Sequence, residues 1–98
     1  MNRITRNNDF IEYFLNGGRD QKKCNNLYIE DNKLFNYNTI LLEEVENEIY
    51  FNTTKYSKST SRIQTYIRQE LYYMDRYIHN IHLIKDVERN TQSLSDLI

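Results

Sequence analysis

Apolar residues at helical spacing in the second half of the chain constrain its fold more than any other feature. Their separations of four, three, four and three positions keep one face of a helix apolar over about four turns. Ser61 and Gln64 stand three residues apart ahead of this run and predict a capping box at the start of the helix. The sequence therefore predicts one long helix over residues 59–84. Its apolar face, the helix seam, comprises Ile67, Leu71, Met74, Ile78 and Ile81.

Such a helix is longer than a small sheet needs as a cover. At 1.5 Å per residue it would reach roughly 30 Å, so its far end would project beyond the other elements. The helix seam is therefore a candidate contact in a homodimer. Burial within the monomer, against the first helix or the C-terminal residues Leu94, Leu97 and Ile98, is the alternative.

Short runs of aromatic and aliphatic residues precede the helix and are separated by turn residues. They predict strands at 27–30, 33–37, 39–43 and 48–52. Asp31 and Asn32 tolerate the positive φ of a tight hairpin, and Glu46 and Asn47 form a second turn. An antiparallel meander of three or four strands over residues 27–52 is the expected result.

A second, shorter helix is predicted near the N-terminus. Asn8 and Asp9 can cap it, and Gly17 and Gly18 can end it. Between them lies one apolar stripe, which is formed by Phe10, Ile11, Phe14 and Leu15. The fold class is therefore α+β, with a short helix at 8–16, the meander, the long C-terminal helix packed on one face of the sheet, and a tail at 90–98. All 98 residues are expected to form one domain.

Charge is distributed unevenly along a chain whose formal net charge is only −1. This balance argues against a dedicated nucleic-acid binder held by bulk positive charge. Between Leu27 and Phe51 the acids are opposed by Lys33 alone, which predicts an acidic face that could meet a partner. Its residues are Glu30, Asp31, Glu43, Glu44, Glu46 and Glu48. A solvated strand edge that discourages aggregation is the alternative.

The junction between the sheet and the long helix, residues 52–64, contains hydroxyls and cations and no acid. Cations near a helix N-terminus are mildly unfavourable, whereas free N–H groups there attract anions. The junction is therefore predicted to bind a partner or an anion, and an N-cap with excess exposed cations is the alternative. The candidate residues are Lys55, Tyr56, Ser57, Lys58, Thr60, Ser61, Arg62 and Arg68.

The junction also resembles a family of small phage and mobile-element proteins. In that family a sheet segment leads into an N-T-x-x-Y-S-x-x-T-S-R-x-Q sequence, and the resemblance covers about residues 26–64. The matching positions are Asn52, Thr53, Tyr56, Ser57, Thr60, Ser61, Arg62 and Gln64. The resemblance implies an accessory protein of a mobile element, a class that includes inhibitors of host defence such as anti-CRISPR proteins. It implies no role for individual residues.

Motifs of catalysis and metal binding are missing from the sequence. It has no glycine-rich phosphate loop, no G-x-S-x-G elbow and no H-E-x-x-H. His79 and His82 with Asp75 and Asp86 favour aspartate–histidine contacts along the predicted helix over a metal site. We therefore predict a protein that is not an enzyme and that has no cofactor and no metal.

Cys24 is the one cysteine in the sequence, so an internal disulfide cannot form and a reducing compartment is expected. No apolar run approaches the roughly 18 residues that a membrane helix needs. These features predict a cytoplasmic protein that does not bind membranes, and the resemblance implies the cytoplasm of a host cell.

Three functions are compatible with these predictions. The first is a phage-encoded inhibitor that contacts a host protein, such as a CRISPR effector or another defence nuclease, through its acidic face and its tyrosines. The second is a nucleic-acid-binding accessory protein that uses the basic junction. The third is a structural or assembly protein that dimerises through the long helix.

Overall fold

Six strands form one mixed sheet within the residues that the computed structural model describes, which are 3–74 and 80–97. The strands lie in the sheet in chain order, and they are β1 (Lys23–Cys24), β2 (Leu27–Glu30), β3 (Lys33–Asn36), β4 (Thr39–Val45), β5 (Glu48–Asn52) and β6 (Asn80–Ile84). Strands β1 to β5 pair antiparallel with one another, and β6 pairs parallel with β5. Two helices, α1 (Asn7–Leu15) and α2 (Lys58–Met74), and a 3-10 turn at Ser95–Leu97 complete the fold.

Two-residue loops connect the first five strands. The strand registers leave residues 25–26, 31–32, 37–38 and 46–47 as loops, and each loop has asparagine in its second position. The first residue of each loop has a positive φ of 54 to 56°. Such loops match the twist of antiparallel strands, which is why the meander forms with such short connections.

Both faces of the sheet are covered. On one face, α1 and α2 pack through Phe10, Phe14, Ile63 and Ile67 on the sheet residues Leu27, Ile29, Leu34, Leu41, Leu42, Ile49 and Phe51. A register shift opposite Leu34 and Phe35 lets the consecutive Leu41 and Leu42 both join this cluster. On the other face, the C-terminal segment buries Val87 and Leu94 against Phe35, Ile40, Tyr50 and Ile84.

The predicted α+β class is confirmed, but two details of the prediction are wrong. The described sheet has six strands and is mixed, rather than three or four antiparallel strands. The predicted helix over 59–84 is wrong at its C-terminal end, because residues 80–84 form a strand beside β5 and the described span of α2 is Lys58–Met74. This pairing places Ile81 opposite Ile49 and satisfies backbone groups along the edge of the sheet, which local spacing could not reveal.

The helix seam is consequently not a continuous helical face. Ile67 and Leu71 lie in the core of the monomer, and Ile81 belongs to a strand. Met74 is the last residue of α2, while its side chain and the whole of Ile78 lie outside the described residues. Within the described parts of the chain, neither helix is long and apolar enough to cross a lipid bilayer.

Candidate binding site at the sheet–helix junction

The connection from β5 to α2 is held by a network of hydrogen bonds centred on the buried Asn52. Its side chain donates to the Ile40 carbonyl at 2.9 Å and to the Tyr56 hydroxyl at 3.0 Å, and it accepts from the Thr54 amide at 2.9 Å. The Tyr56 hydroxyl in turn donates to the Val87 carbonyl. The connection is therefore tied to β4 and to the segment that follows β6.

The N-terminus of α2 is capped by Ser57, and the predicted capping box of Ser61 and Gln64 is wrong. The Ser57 hydroxyl accepts from the Thr60 amide at 3.2 Å, and the Ser57 carbonyl accepts from the Ser61 amide at 2.9 Å. The buried Gln64 instead donates to the carbonyls of Asn52 and Thr54, both at 2.9 Å. The cap lies one turn earlier because the bend at 52–54 needs the glutamine amide as a donor.

Most of the junction residues that match the phage and mobile-element pattern are therefore turned inwards. Thr60 is buried and accepts from the Asn36 side chain at 3.1 Å, and the Thr53 hydroxyl donates to the Ile84 carbonyl at 2.9 Å. The hydroxyls of Thr53 and Thr60 and the Thr60 amide are therefore occupied within the protein, whereas Ser57 is exposed. These residues shape the bend.

Three cations from separate parts of the chain line one pocket of about 540 Å³ beside this bend. Lys55 comes from the connection, Arg68 from the middle of α2, and Lys85 from the position after β6, and all three are exposed. Among the described residues that line the pocket, Asp86 supplies the only carboxylate. We call this space the cationic pocket.

The cations of this pocket lack ion-pair partners among residues 3–74 and 80–97. Within those ranges Arg19 forms an ion pair with Glu44 at 3.0 Å, and the His82 ring contacts the Glu48 carboxylate at 3.1 Å. Ser61 also lines the pocket, whereas the hydroxyl of the neighbouring Thr65 already donates to the Ser61 carbonyl at 3.0 Å. The pocket therefore offers positive charge to a ligand more than it offers hydroxyl donors.

The remaining predicted cations lie elsewhere. Arg62 lines a separate pocket of about 410 Å³ on another side of α2, together with Arg6, Asn25 and Tyr66. Lys58 is exposed in the first turn of α2 and lines neither pocket. Of the eight predicted junction residues, the cationic pocket thus brings together Lys55, Ser61 and Arg68.

Lys85 is the member of the site that sequence reasoning missed. The predicted helix over 59–84 would place Lys85 just beyond the end of the helix that is farthest from the junction. Because β6 runs parallel to β5, both strands finish at the same end of the sheet, where Asn52 pairs with Ile84. The short alternation of polar Asn80 and His82 with apolar Ile81 and Leu83 is the sequence signal for this strand.

The predicted acidic face is divided by the structure. Glu43 is only 2% exposed, so its assignment to an exposed surface is corrected. Its carboxylate accepts from the Leu94 amide at 2.8 Å and from the hydroxyls of Ser93 and Ser95. Glu44 and Glu48 are half-buried, and their carboxylates contact the side chains of Arg19 and His82 respectively. The exposed acids of the set are Glu30, Asp31 and Glu46.

These exposed acids and the cationic pocket lie at opposite ends of the sheet. In an antiparallel meander the loops at 31–32 and 46–47 fall at one end, and the chain leaves β5 at the other end. Since β6 is parallel to β5, Lys85 joins Lys55 at that second end. The molecule therefore has an acidic pole and a basic pole in spite of its small net charge.

An apolar groove of about 320 Å³ adjoins the cationic pocket and shares Arg68 with it. Phe51, Leu71 and Ile81 line it together with Tyr72 and Leu83, whose side chains are 80% and 64% exposed. The guanidinium of Arg68 lies 5.6 Å from the centre of the Phe51 ring, at the boundary between the two spaces. We call this space the edge groove because β6 forms one side of it.

No group of three or more metal-ligating side chains lies together in the described ranges 3–74 and 80–97. His82 is in β6 and stacks on Tyr50 at 4.6 Å between ring centroids, and Asp86 is in the following turn with a φ of 57°. Asp75 and His79, the other two residues of the predicted aspartate–histidine contacts, lie outside the described residues.

Comparisons with protein-family models, with characterised proteins and with solved structures give no significant match.

Proposed function

We propose that this protein is a non-catalytic binding module that holds an acidic segment of a partner protein in the cationic pocket. The observation that carries the proposal is the convergence of Lys55, Arg68 and Lys85 on one pocket without ion-pair partners among the described residues. Stability does not require this arrangement, because like charges held close together repel one another. A negatively charged ligand would relieve that repulsion.

A protein partner agrees with the charge balance better than a nucleic acid does. Counterion release makes nucleic-acid affinity depend on many phosphate contacts, and this chain has a net charge of −1. Three cations beside an apolar groove suit a short acidic segment with neighbouring apolar side chains. Hydrogen bonds to charged groups contribute about 1.5–3 kcal/mol each when they are well formed.

The resemblance of the junction to phage and mobile-element proteins leads us to propose a host defence protein, such as a CRISPR effector or another nuclease, as the partner. The host cytoplasm is the compartment that we propose for this encounter, where the buried thiol of Cys24 would stay reduced. The identity of the partner rests on that resemblance alone. The acidic chemistry of the bound segment rests on the cationic pocket.

Binding of a fluorescein-labelled octaglutamate peptide tests the acidic-ligand proposal. Fluorescence anisotropy at about 50 mM salt should give saturable binding that weakens as the salt concentration rises, because the contacts are electrostatic. The variant Lys55→Gln with Arg68→Gln and Lys85→Gln should weaken binding by about tenfold or more, which corresponds to about 1.4 kcal/mol. All three residues are exposed, so this variant should fold.

The matched control removes two lysines and one arginine at the opposite edge of the sheet. Arg3, Lys22 and Lys23 are exposed and lie in or before β1, so Arg3→Gln with Lys22→Gln and Lys23→Gln lowers the net charge by the same amount. This control should bind the peptide nearly as well as the original chain. Equal losses in both variants would show that net charge alone binds the peptide, and the proposal would be wrong.

A second candidate function, nucleic-acid binding, is favoured by the pocket of Arg6, Arg62 and Tyr66 on another side of α2. Two cationic pockets beside one helix could contact successive phosphates, and Tyr66 could stack on a base. A fluorescein-labelled oligothymidylate of about 15 nucleotides tests it, since binding should be micromolar or tighter at about 50 mM salt and fall steeply with added salt. Such binding, lost on Arg6→Gln with Arg62→Gln, would support this candidate instead.

A further inference from the structure

The outer edge of β6 and the edge groove together form a surface with backbone and apolar side chains available side by side. Within the described residues the sheet ends at β6, which pairs on one side only, with β5. Its outward N–H and C=O groups are therefore available to a further strand. The short strand β1 forms the opposite edge and has only two residues, so β6 is the longer unpaired edge.

The edge groove supplies apolar contacts for such a strand. Leu83 and Ile81 point to the helix-covered face of the sheet with Phe51, and Tyr72 overlies them from α2. Exposures of 64% for Leu83 and 80% for Tyr72 leave large apolar surfaces uncovered at this point. An added strand would lie about 4.8 Å beyond β6, so every second side chain would fall on the same face as these two residues.

We infer that the edge groove and β6 bind an extended segment of the partner by β-strand addition, with its acidic residues in the cationic pocket. This inference rests on the proposed function, since the acidic end of the segment is the ligand proposed there. β6 runs towards the pocket, and Lys85 directly follows its last residue, Ile84. The segment should therefore alternate apolar and polar residues along β6 and become acidic beside Ile84.

Charge complementarity favours a separate protein over a second copy of this chain. If two β6 strands paired antiparallel, the nearest described acid of the other chain would be Glu48 of β5, whose carboxylate already bonds to His82 at 3.1 Å. The nearest exposed acid would be Glu46 in the loop of residues 46–47, which joins β4 to β5. At least one strand, β5, would separate that loop from the shared edge. Charges separated by more than one strand spacing are nearly a Debye length of roughly 10 Å apart, so their interaction is weak.

Two acetylated and amidated nonapeptides test the inference, because the direction of the added strand is left open. Their sequences are TVTVTVEEE and EEETVTVTV, and each has a control of the same composition with the valines placed together. One of the alternating peptides should bind the full chain about tenfold more tightly than both its control and octaglutamate, since backbone pairing adds to the charge contact. N-methylation of alternate residues on its pairing edge should remove this gain.

The variant Leu83→Asp separates this inference from the proposed function. Leu83 is exposed, so the substitution should leave the fold intact while it places a charge in the edge groove. Octaglutamate binding should change little, and the gain of the alternating peptide should disappear. If octaglutamate binds to the cationic pocket but neither alternating peptide binds more tightly, strand addition is wrong and the proposed function stands.

Failure of octaglutamate itself to bind would refute the proposed function and the inference that rests on it. Sedimentation velocity of the full chain tests the remaining alternative, in which a second copy of the chain occupies the edge of β6. A dimer that Leu83→Asp converts to a monomer would show that a second copy occupies the edge of β6, and it would overturn the inference of a separate partner. A monomer at all measured concentrations is the expected result.

Discussion

Glu43 is the buried carboxylate that joins the sheet to the C-terminal segment. It accepts hydrogen bonds from three donors in residues 93–95, which holds Leu94 against the second cluster of the core. Burial alone would raise the pKa of Glu43, but the hydrogen bonds from Ser95, Leu94 and Ser93, with Lys33 nearby, outweigh it and lower the pKa below its ordinary value of 4.5. The ionised form is therefore the one that holds the segment in place.

The substitution Glu43→Gln should lower the free energy of unfolding by about 2 kcal/mol at neutral pH, because an amide cannot accept from all three donors. A folded-state pKa below the unfolded value gives a contribution that is present above pH 4.5 and is lost as the pH falls through the lower, folded value. Urea unfolding at several pH values should show the difference between the two proteins shrinking in acid. Glu30→Gln, at an exposed position, is the control.

A constant difference between Glu43→Gln and the original chain from neutral to acid pH would contradict this account of Glu43. It would mean that the shape of the side chain matters and its charge does not. Equal losses of stability in Glu30→Gln would also contradict it.

The first turn of α2 carries a charge that does not favour the stability of the helix. It contains no acidic residue, and Lys58 stands at its start although the helix dipole favours a negative charge there. Ser57 compensates by capping the helix. The stability of the helix therefore does not explain Lys58 at this position.

The substitution Lys58→Glu should raise the free energy of unfolding by about 0.5–1 kcal/mol, because it places an acid in the first turn and four residues before Arg62. Urea unfolding at low and high salt should show the gain and its decrease with salt. Lys22→Glu, outside both helices, should change stability much less. A loss of stability in Lys58→Glu would show that Lys58 makes a structural contact, and this account of the first turn would be wrong.

The elements also show which parts of the fold could be predicted. Strands β2 to β5 follow the short alternating runs, because the loops of Asp31 and Glu46 are set by local residues. The end of α2 could not be predicted, since Ile81 fits both the helical spacing from Ile67 and the pairing with Ile49, and only the second is decided by the rest of the sheet. Local patterns do not contain that information.

The sequence also predicts only part of the candidate site. Lys55 and Arg68 were identified from the absence of acids around the junction, and both line the cationic pocket. Lys85 depends on the parallel strand and was missed. The inward hydroxyl of Thr60 was predicted to face a ligand, because a sequence cannot show which way a hydroxyl points.

At the scale of the whole molecule, the two poles would orient the protein towards a partner. The acidic loops at one end carry Asp31 and Glu46, and the basic end carries Lys55, Arg68 and Lys85. Complementary potentials of this kind increase association rates more than they increase affinity, and they depend on ionic strength. The edge groove would then supply contacts that slow dissociation.

The central claim is that the basic pole is the binding surface, and amide chemical shifts measured by NMR during titration of the labelled full chain with octaglutamate test it most directly. The account predicts that the largest shifts fall at Lys55, Arg68 and Lys85 and that they disappear in the variant with all three residues replaced by glutamine. Shifts of equal size at Lys22 and Lys23, or largest shifts away from the cationic pocket, would contradict it.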